Sequence, residues 1–309
     1  MQHENDNHLQ LIAKLLISLN KISRPTENAK LAWYLHGSCC ADFGIVQREH
    51  TITKGKHIMF KSKSLLSVNA DAKTSKGETF GFLTGILYLA PYLSTKWNTC
   101  SMAKIAECGE ACLYTAGRGA MSTVAQGRIN KTIWFFTERN SFMQQLAVNI
   151  RQLVSKAAKQ SLVPLVRLNG TSDIRWEAVS FVDTDGVEYS SIFDAFPTVQ
   201  FYDYTKDVNR KALPLNYDLT FSYSGVVGFQ PFVSKAIENG MRIAVVFRSV
   251  AAIPKVFKGM SVIGGDNSDI RHLEDKGVVV ALYAKGKAKL DMTGFVVDAA
   301  KPVFMLQAA

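Results

Sequence analysis

The sequence predicts an α/β protein: a full or partial parallel barrel carrying an N-terminal helical and β-hairpin extension. Three observations predict it. Short, nearly unbroken apolar runs recur at Phe80–Leu89, Val163–Leu168, Thr198–Tyr204, Tyr217–Phe221, Arg242–Phe247, Ser261–Ile263 and Val278–Tyr283. Runs without polar alternation mark strands covered on both faces, as in parallel sheets. The connections between them are long enough for crossover helices rather than hairpins. The chain has 309 residues, 47% of them hydrophobic, a size and core content that suit an α/β barrel.

The elements follow in order. Residues 1–79 form a basic extension and residues 80–309 the barrel-like domain, with a cysteine loop at 97–119. In the extension, apolar residues at 9, 11, 12, 15, 16 and 19 have helical spacing. Pro25-Thr26-Glu27 resembles a helix start, and Thr51–Ser67 reads as one or two exposed strands, a hairpin. Two helices are predicted between the first and second strands of the barrel domain, at Ser122–Phe136 and Ser141–Gln160. The second presents an apolar stripe at 142, 143, 146, 150, 153, 154 and 157. Asp183, Asp185 and Glu188 fall in a Gly-bearing stretch that reads as an exposed turn.

Charge is placed unevenly. The net charge is +10, and residues 1–160 carry 20 Lys/Arg against 10 Asp/Glu. From His50 to Ala70 there is no acid, but Lys54, Lys56, Lys61 and Lys63 are present. This asymmetry predicts either a polyanionic partner, nucleic acid or nucleotide, or a solvated basic face. Arg128 and Lys131, on the first predicted helix, extend such a rim or face solvent. No run of 18 uncharged apolar residues exists and no secretory signal is seen, so the expectation is a cytoplasmic protein with no membrane span.

The five cysteines do not form a disulfide framework. Cys39 and Cys40 sit in an apolar stretch and read as packing residues. Cys100-x7-Cys108-x3-Cys112 is different: three thiols within one loop, just beyond a strand. Thiolates are soft ligands that select iron–sulfur clusters or zinc. Three protein ligands leave a [4Fe–4S] cluster with one open iron, whereas structural zinc needs a fourth ligand. Three spare thiols with no metal remain the third reading. Gly117 and Arg118 follow in Tyr114-Thr115-Ala116-Gly117-Arg118-Gly119. The glycine permits close backbone approach to a ligand, and the arginine suits phosphate or carboxylate.

Working groups in parallel α/β folds lie at the carboxyl ends of strands. Those ends carry Asn169-Gly170-Thr171-Ser172-Asp173, Asp203-Tyr204-Thr205-Lys206, Ser222-Tyr223-Ser224 and Gly264-Gly265-Asp266-Asn267-Ser268-Asp269. Four polar, small-residue ends in succession predict a pocket, although turns are polar in any case.

These residues also carry a resemblance. Thr99-Cys100…Cys108-Gly109-Glu110-Ala111-Cys112-Leu113-Tyr114, then Val166-Arg167-Leu168-Asn169-Gly170 with Asp173, then Phe201-Tyr202-Asp203-Tyr204-Thr205-Lys206 resemble a phage protein family named after a gene 88 product. The resemblance covers about Gly81–Gly225 and implies a radical S-adenosylmethionine type of barrel. The spacing is longer than the usual Cys-x3-Cys-x2-Cys. By implication Cys100, Cys108 and Cys112 hold a [4Fe–4S] cluster and S-adenosylmethionine binds its open iron. Arg167, Asn169, Asp173 and Ser222 would then face that cofactor, Lys206 and Tyr204 the substrate, while Asp266, Asp269 and Arg271 close the pocket.

Two further functions compete. One is a non-catalytic, replication-associated nucleic-acid-binding protein with structural zinc. The other is a hydrolase using Asp173, Asp266 and Asp269 with a divalent ion. No Walker loop, His-Glu-x-x-His or Gly-x-Ser-x-Gly motif is present.

Overall fold

The computed structural model describes residues 62–68, 72–112, 117–266 and 268–298. The chain divides into two compact units, 1–58 and 59–309, and every described residue belongs to the second. Cys39, Cys40 and the predicted N-terminal helices lie outside the described residues.

Eleven strands are described, and the seven predicted ones are among them, each within a few residues of its expected position. They are β1 (Leu66–Val68), β2 (Phe82–Leu87), β3 (Val163–Arg167), β4 (Phe181–Val182), β5 (Glu188–Tyr189), β6 (Gln200–Thr205), β7 (Tyr217–Ser222), β8 (Ile243–Phe247), β9 (Val256–Phe257), β10 (Met260–Gly264) and β11 (Val279–Tyr283). The helices are α1 (Ala72–Glu78), α2 (Ser122–Thr137), α3 (Arg139–Lys159), α4 (Ile192–Ala195) and α5 (Gln230–Glu238). Nine strands make one sheet in the order β1-β2-β3-β6-β7-β8-β11-β10-β9, and β4 and β5 make a separate hairpin around Asp185, where the sequence reads as an exposed turn. From β2 to β10 all neighbours are parallel. The mostly parallel α/β architecture is therefore as expected.

The barrel does not close. Short antiparallel strands end the sheet on both sides, β1 against β2 and β9 against β10. Neither edge is marked in the sequence: Leu65 and Leu66 fall in the stretch that reads as an exposed hairpin but are buried beneath α3. Asn149 of α3 holds them there, its Oδ1 accepting from the Leu65 amide at 2.8 Å and its Nδ2 donating to the Lys63 carbonyl at 3.1 Å.

Strand alternation divides the sheet into two unlike faces. On the helix side, Leu83, Leu87, Val166, Phe201, Tyr217 and Leu219 pack under the α3 stripe of Phe142, Met143, Leu146, Ile150 and Leu153. Farther along, Phe221, Ile243, Val245, Phe247, Val279 and Ala281 pack with Phe229, Val233 and Ala236 at α5. The opposite face carries Thr84, Arg167, Tyr202, Tyr204, Thr220 and Ser222. The connection from β10 to β11 covers it: Ile270 packs on Leu165 and Tyr202, and His272 lies 5.7 Å from both the Phe82 and Tyr202 rings. Lys76 of α1 donates to the Asp266 carbonyl at 2.9 Å. Strands β2 and β10 are far apart in the sheet order, so a connection that touches both requires the sheet to curl around it. This segment covers the face whose side chains would meet one another inside a closed barrel.

At the carboxyl ends of the strands, the Gly225 amide donates to the Gly294 carbonyl at 2.9 Å, and a Cβ on Gly225 would stand 2.5 Å from that oxygen. Gly225→Ala is expected to cost about 1–3 kcal/mol, read as a drop in melting temperature of about 2–4 °C per kcal/mol. An unchanged melting temperature would show that residues 291–297 are not held at this point.

Candidate site at the carboxyl ends of the strands

The cysteine loop lies where β2 leaves the sheet. It is fastened to the next strands in turn. Thr99 Oγ1 donates to the Ala90 carbonyl at 2.7 Å, and the Asp173 amide beyond β3 donates to the Thr99 carbonyl at 2.8 Å. Ser224 Oγ beyond β7 donates to the Ala106 carbonyl at 2.8 Å. The loop thus spans the carboxyl ends of β2, β3 and β7, the position expected of it. Tyr92 (φ 44°) and Glu107 (φ 48°) adopt left-handed backbone at its bends.

Cys100, Cys108 and Cys112 are each unbridged and half-buried. The Cys100 sulfur accepts from the Tyr92 amide at 3.5 Å. Burial pushes its thiol up to about 12, and the charges of Asp173 and Cys112 add to the rise. Burial also raises Cys108, against the pull of Lys206. Cys100 and Cys108 are therefore protonated thiols in this form. Among the described residues no three His, Cys, Asp or Glu side chains form a group that could hold a metal ion as they stand.

Lys206 binds the arrangement together. Its ammonium donates to the Ser222 carbonyl at 3.0 Å, Ser222 Oγ at 3.2 Å and the Tyr223 carbonyl at 3.2 Å. It also lies 4.9 Å from the Phe295 ring centroid and 5.2 Å from that of Phe229. No carboxylate forms an ion pair with it among the described residues. Burial lowers its pKa, and the charges of Cys108, Asp173, Cys112 and Cys100 oppose that shift. All three thiols therefore lie within the electrostatic reach of one enclosed cation.

The other predicted residues fall in five places. Asp173 belongs with the thiols: it accepts from the Lys206 amide at 2.8 Å and from Arg210 at 3.1 Å. Asn169 is engaged within its own loop, its Oδ1 accepting from Ser172 Oγ, the Ile174 amide and Trp176 Nε1 at 2.9–3.0 Å. Arg167 and Tyr204 lie on the covered face instead, where Arg167 donates to Asp269 at 2.5 Å and Tyr204 takes a bond from Arg271 at 2.9 Å. Asp266 pairs with Lys285 at 2.6 Å at the β10 end. Gly117 and Arg118 lie in a single 3-10 turn, Gly117–Ala120.

Sequence reasoning missed Arg210, which joins Asp173, Tyr217 and the Ile174 carbonyl. In the sequence it sits in Asn209-Arg210-Lys211, indistinguishable from a solvated turn. Phe295, which stacks against the Lys206 ammonium, likewise carries no local signal.

The fold and site define an α/β protein with a curled, open parallel sheet and a thiol-bearing loop at its carboxyl ends. Residues 59–299 match the family model described as Gene product 88, and the chain belongs to that family. No curated protein and no solved structure matches it. No helix among the described residues is long and apolar enough to cross a membrane.

Proposed function

We propose that Cys100, Cys108 and Cys112 hold an iron–sulfur cluster, and that this phage-family protein acts there on a nucleotide, nucleic acid or similar polyanion. The observation that carries this reading is Lys206. An ammonium whose hydrogen bonds go only to neutral oxygens, beside ring faces, lacks a directly paired counter-charge. Three thiols within its reach would supply one when deprotonated, which metal loading does. Their softness suits iron–sulfur or zinc. As placed they do not converge, so loading draws the side chains together and releases protons.

The succession of parallel strands, with the loop at their carboxyl ends, supports a radical-S-adenosylmethionine-like architecture. A cluster held by three cysteines supplies one-electron chemistry at an open iron, the point where S-adenosylmethionine would bind. The chain's own groups do the rest. Asp173 fixes the β6 end through the Lys206 amide, Lys206 places positive charge beside the sulfurs, and Phe229 and Phe295 keep water from the ammonium.

Anaerobically purified protein is expected to be brown, with about four irons and four sulfides per chain, and to retain labelled S-adenosylmethionine in equilibrium dialysis. Cys108→Ala should lose the colour and the iron. One zinc per chain would instead select the non-catalytic nucleic-acid-binding alternative. Full-length chain with neither metal, or a brown Cys108→Ala variant, would overturn the ligand assignment.

A further inference from the structure

A second group of cations lies beside the thiol loop. Arg128 and Lys131 are three residues apart on α2, so they share one helical face. That face is turned to the carboxyl end of β2. The neighbouring Thr132 Oγ1 accepts from the Ala90 amide at 2.8 Å, and Lys131 Nζ donates to the Leu65 carbonyl at 3.3 Å. The Arg128 guanidinium lies over the Tyr88 ring, 4.9 Å from its centroid. Tyr88 in turn presses on Gly170 at the β3 end, where a Cβ would stand 2.6 Å from its ring. Arg128 is also within electrostatic reach of Cys112.

The position is unusual for two like charges. Arg128 is buried and Lys131 half-buried. Burial, together with the positive charge of Arg128, lowers the lysine to about 8. No described carboxylate forms an ion pair with Lys131. Enclosing the Lys131 ammonium beside a second positive charge costs free energy that a bound anion would offset. A guanidinium fork next to a point-charge ammonium is the pairing that suits a tetrahedral oxyanion.

We infer that Arg128 and Lys131 form a binding site for the phosphate group of a nucleotide substrate, placed beside the thiol loop at the β2 and β3 ends. This deepens the proposed function by locating the anionic end of the substrate. It draws its substrate class from that reading, and nothing in it depends on the metal.

The probe is inorganic pyrophosphate, titrated calorimetrically into the full-length chain as purified, with iron content measured on the same sample. Wild type is expected to bind, more weakly as salt rises. Lys131→Met and Arg128→Gln should each weaken binding at least tenfold, whereas Lys131→Arg should retain it. Lys156→Met, an exposed basic position on α3, should bind as wild type does. Because Arg128 is buried, its variant is also checked by melting temperature. If it fails to fold, Lys131→Met decides, through loss of the thermal stabilisation that pyrophosphate gives wild type. Absence of wild-type binding, or Lys131→Met binding equal to wild type, overturns the site. A chain without iron that still binds pyrophosphate through Lys131 would sink the cluster and leave the phosphate site standing. A brown chain without binding would do the reverse.

Discussion

Replacing Asp269 with leucine is expected to cost about 3–5 kcal/mol of folding stability, the range for breaking a buried ion pair from one side. Asp269 accepts from Arg167 at 2.5 Å and from Tyr204 Oη at 3.3 Å, and Arg271 donates to the same tyrosine at 2.9 Å. The Arg167 side chain is only 7% exposed, and its other carboxylate, Asp203, stands 4.0 Å away. Without Asp269 the guanidinium stays enclosed with most of its compensation gone. The effect also reaches beyond the pair, because Asp269 belongs to the segment between β10 and β11 that covers this face of the sheet. Amide exchange should rise in residues 268–273 as well. The double variant Arg167→Met/Asp269→Leu removes both charges and should recover most of the loss, since a well-packed apolar pair replaces a desolvated ionic one at little cost. Urea unfolding at neutral pH measures all three proteins. A single-variant loss below about 1 kcal/mol, the level of an exposed pair, would mean that solvent reaches Arg167 and that the segment is not sealed by this network.

That network was only half legible in the sequence. The parallel strands were readable because strands covered on both faces are apolar throughout, and Ile243–Phe247 and Val279–Tyr283 are of this kind. The thiol loop was placed correctly by the rule that ligand-facing groups follow strand carboxyl ends. Two things were not readable. Arg167 and Tyr204 fall near strand ends in the sequence and so resemble cofactor- and substrate-facing groups, yet pleating turns them to the face opposite the core, where Asp269 and Arg271 meet them from more than sixty residues away. The edges were also invisible, since three residues at β1 and two at β9 are too short to show any period. Closure depends on those edges: with short antiparallel strands at both ends and residues 268–276 lying over the covered face, a sequence that reads as a barrel makes an open, curled sheet.

The same covered face should give the protein two opposing acid responses that conceal one another. Burial raises Asp203 from its ordinary 3.8 to about 6, against the attraction of Arg167 and the amides of Asn169 and Leu168. Between those values the folded chain holds a proton that the unfolded chain has lost. The stability that Asp203 contributes is therefore complete below about pH 4 and falls as pH rises through 6, by about 3 kcal/mol. His272, held between the Phe82 and Tyr202 rings, moves the other way: burial lowers it from 6.5 to about 4. Here the unfolded chain is the one that binds the proton, so stability rises from pH 4 to 6.5, again by about 3 kcal/mol. The two contributions nearly cancel over one window. Asp203→Asn keeps an oxygen for the Leu168 and Asn169 amides but cannot ionise, so its unfolding free energy should climb from pH 4 to 6.5 by about 3 kcal/mol more than that of wild type. His272→Phe fits the same aromatic slot and should show the opposite slope. The comparison is of slopes at constant ionic strength, because Asp173 and Asp183 also titrate at shifted values and contribute equally to all three proteins. Parallel curves for wild type and Asp203→Asn would show that Asp203 is ionised throughout.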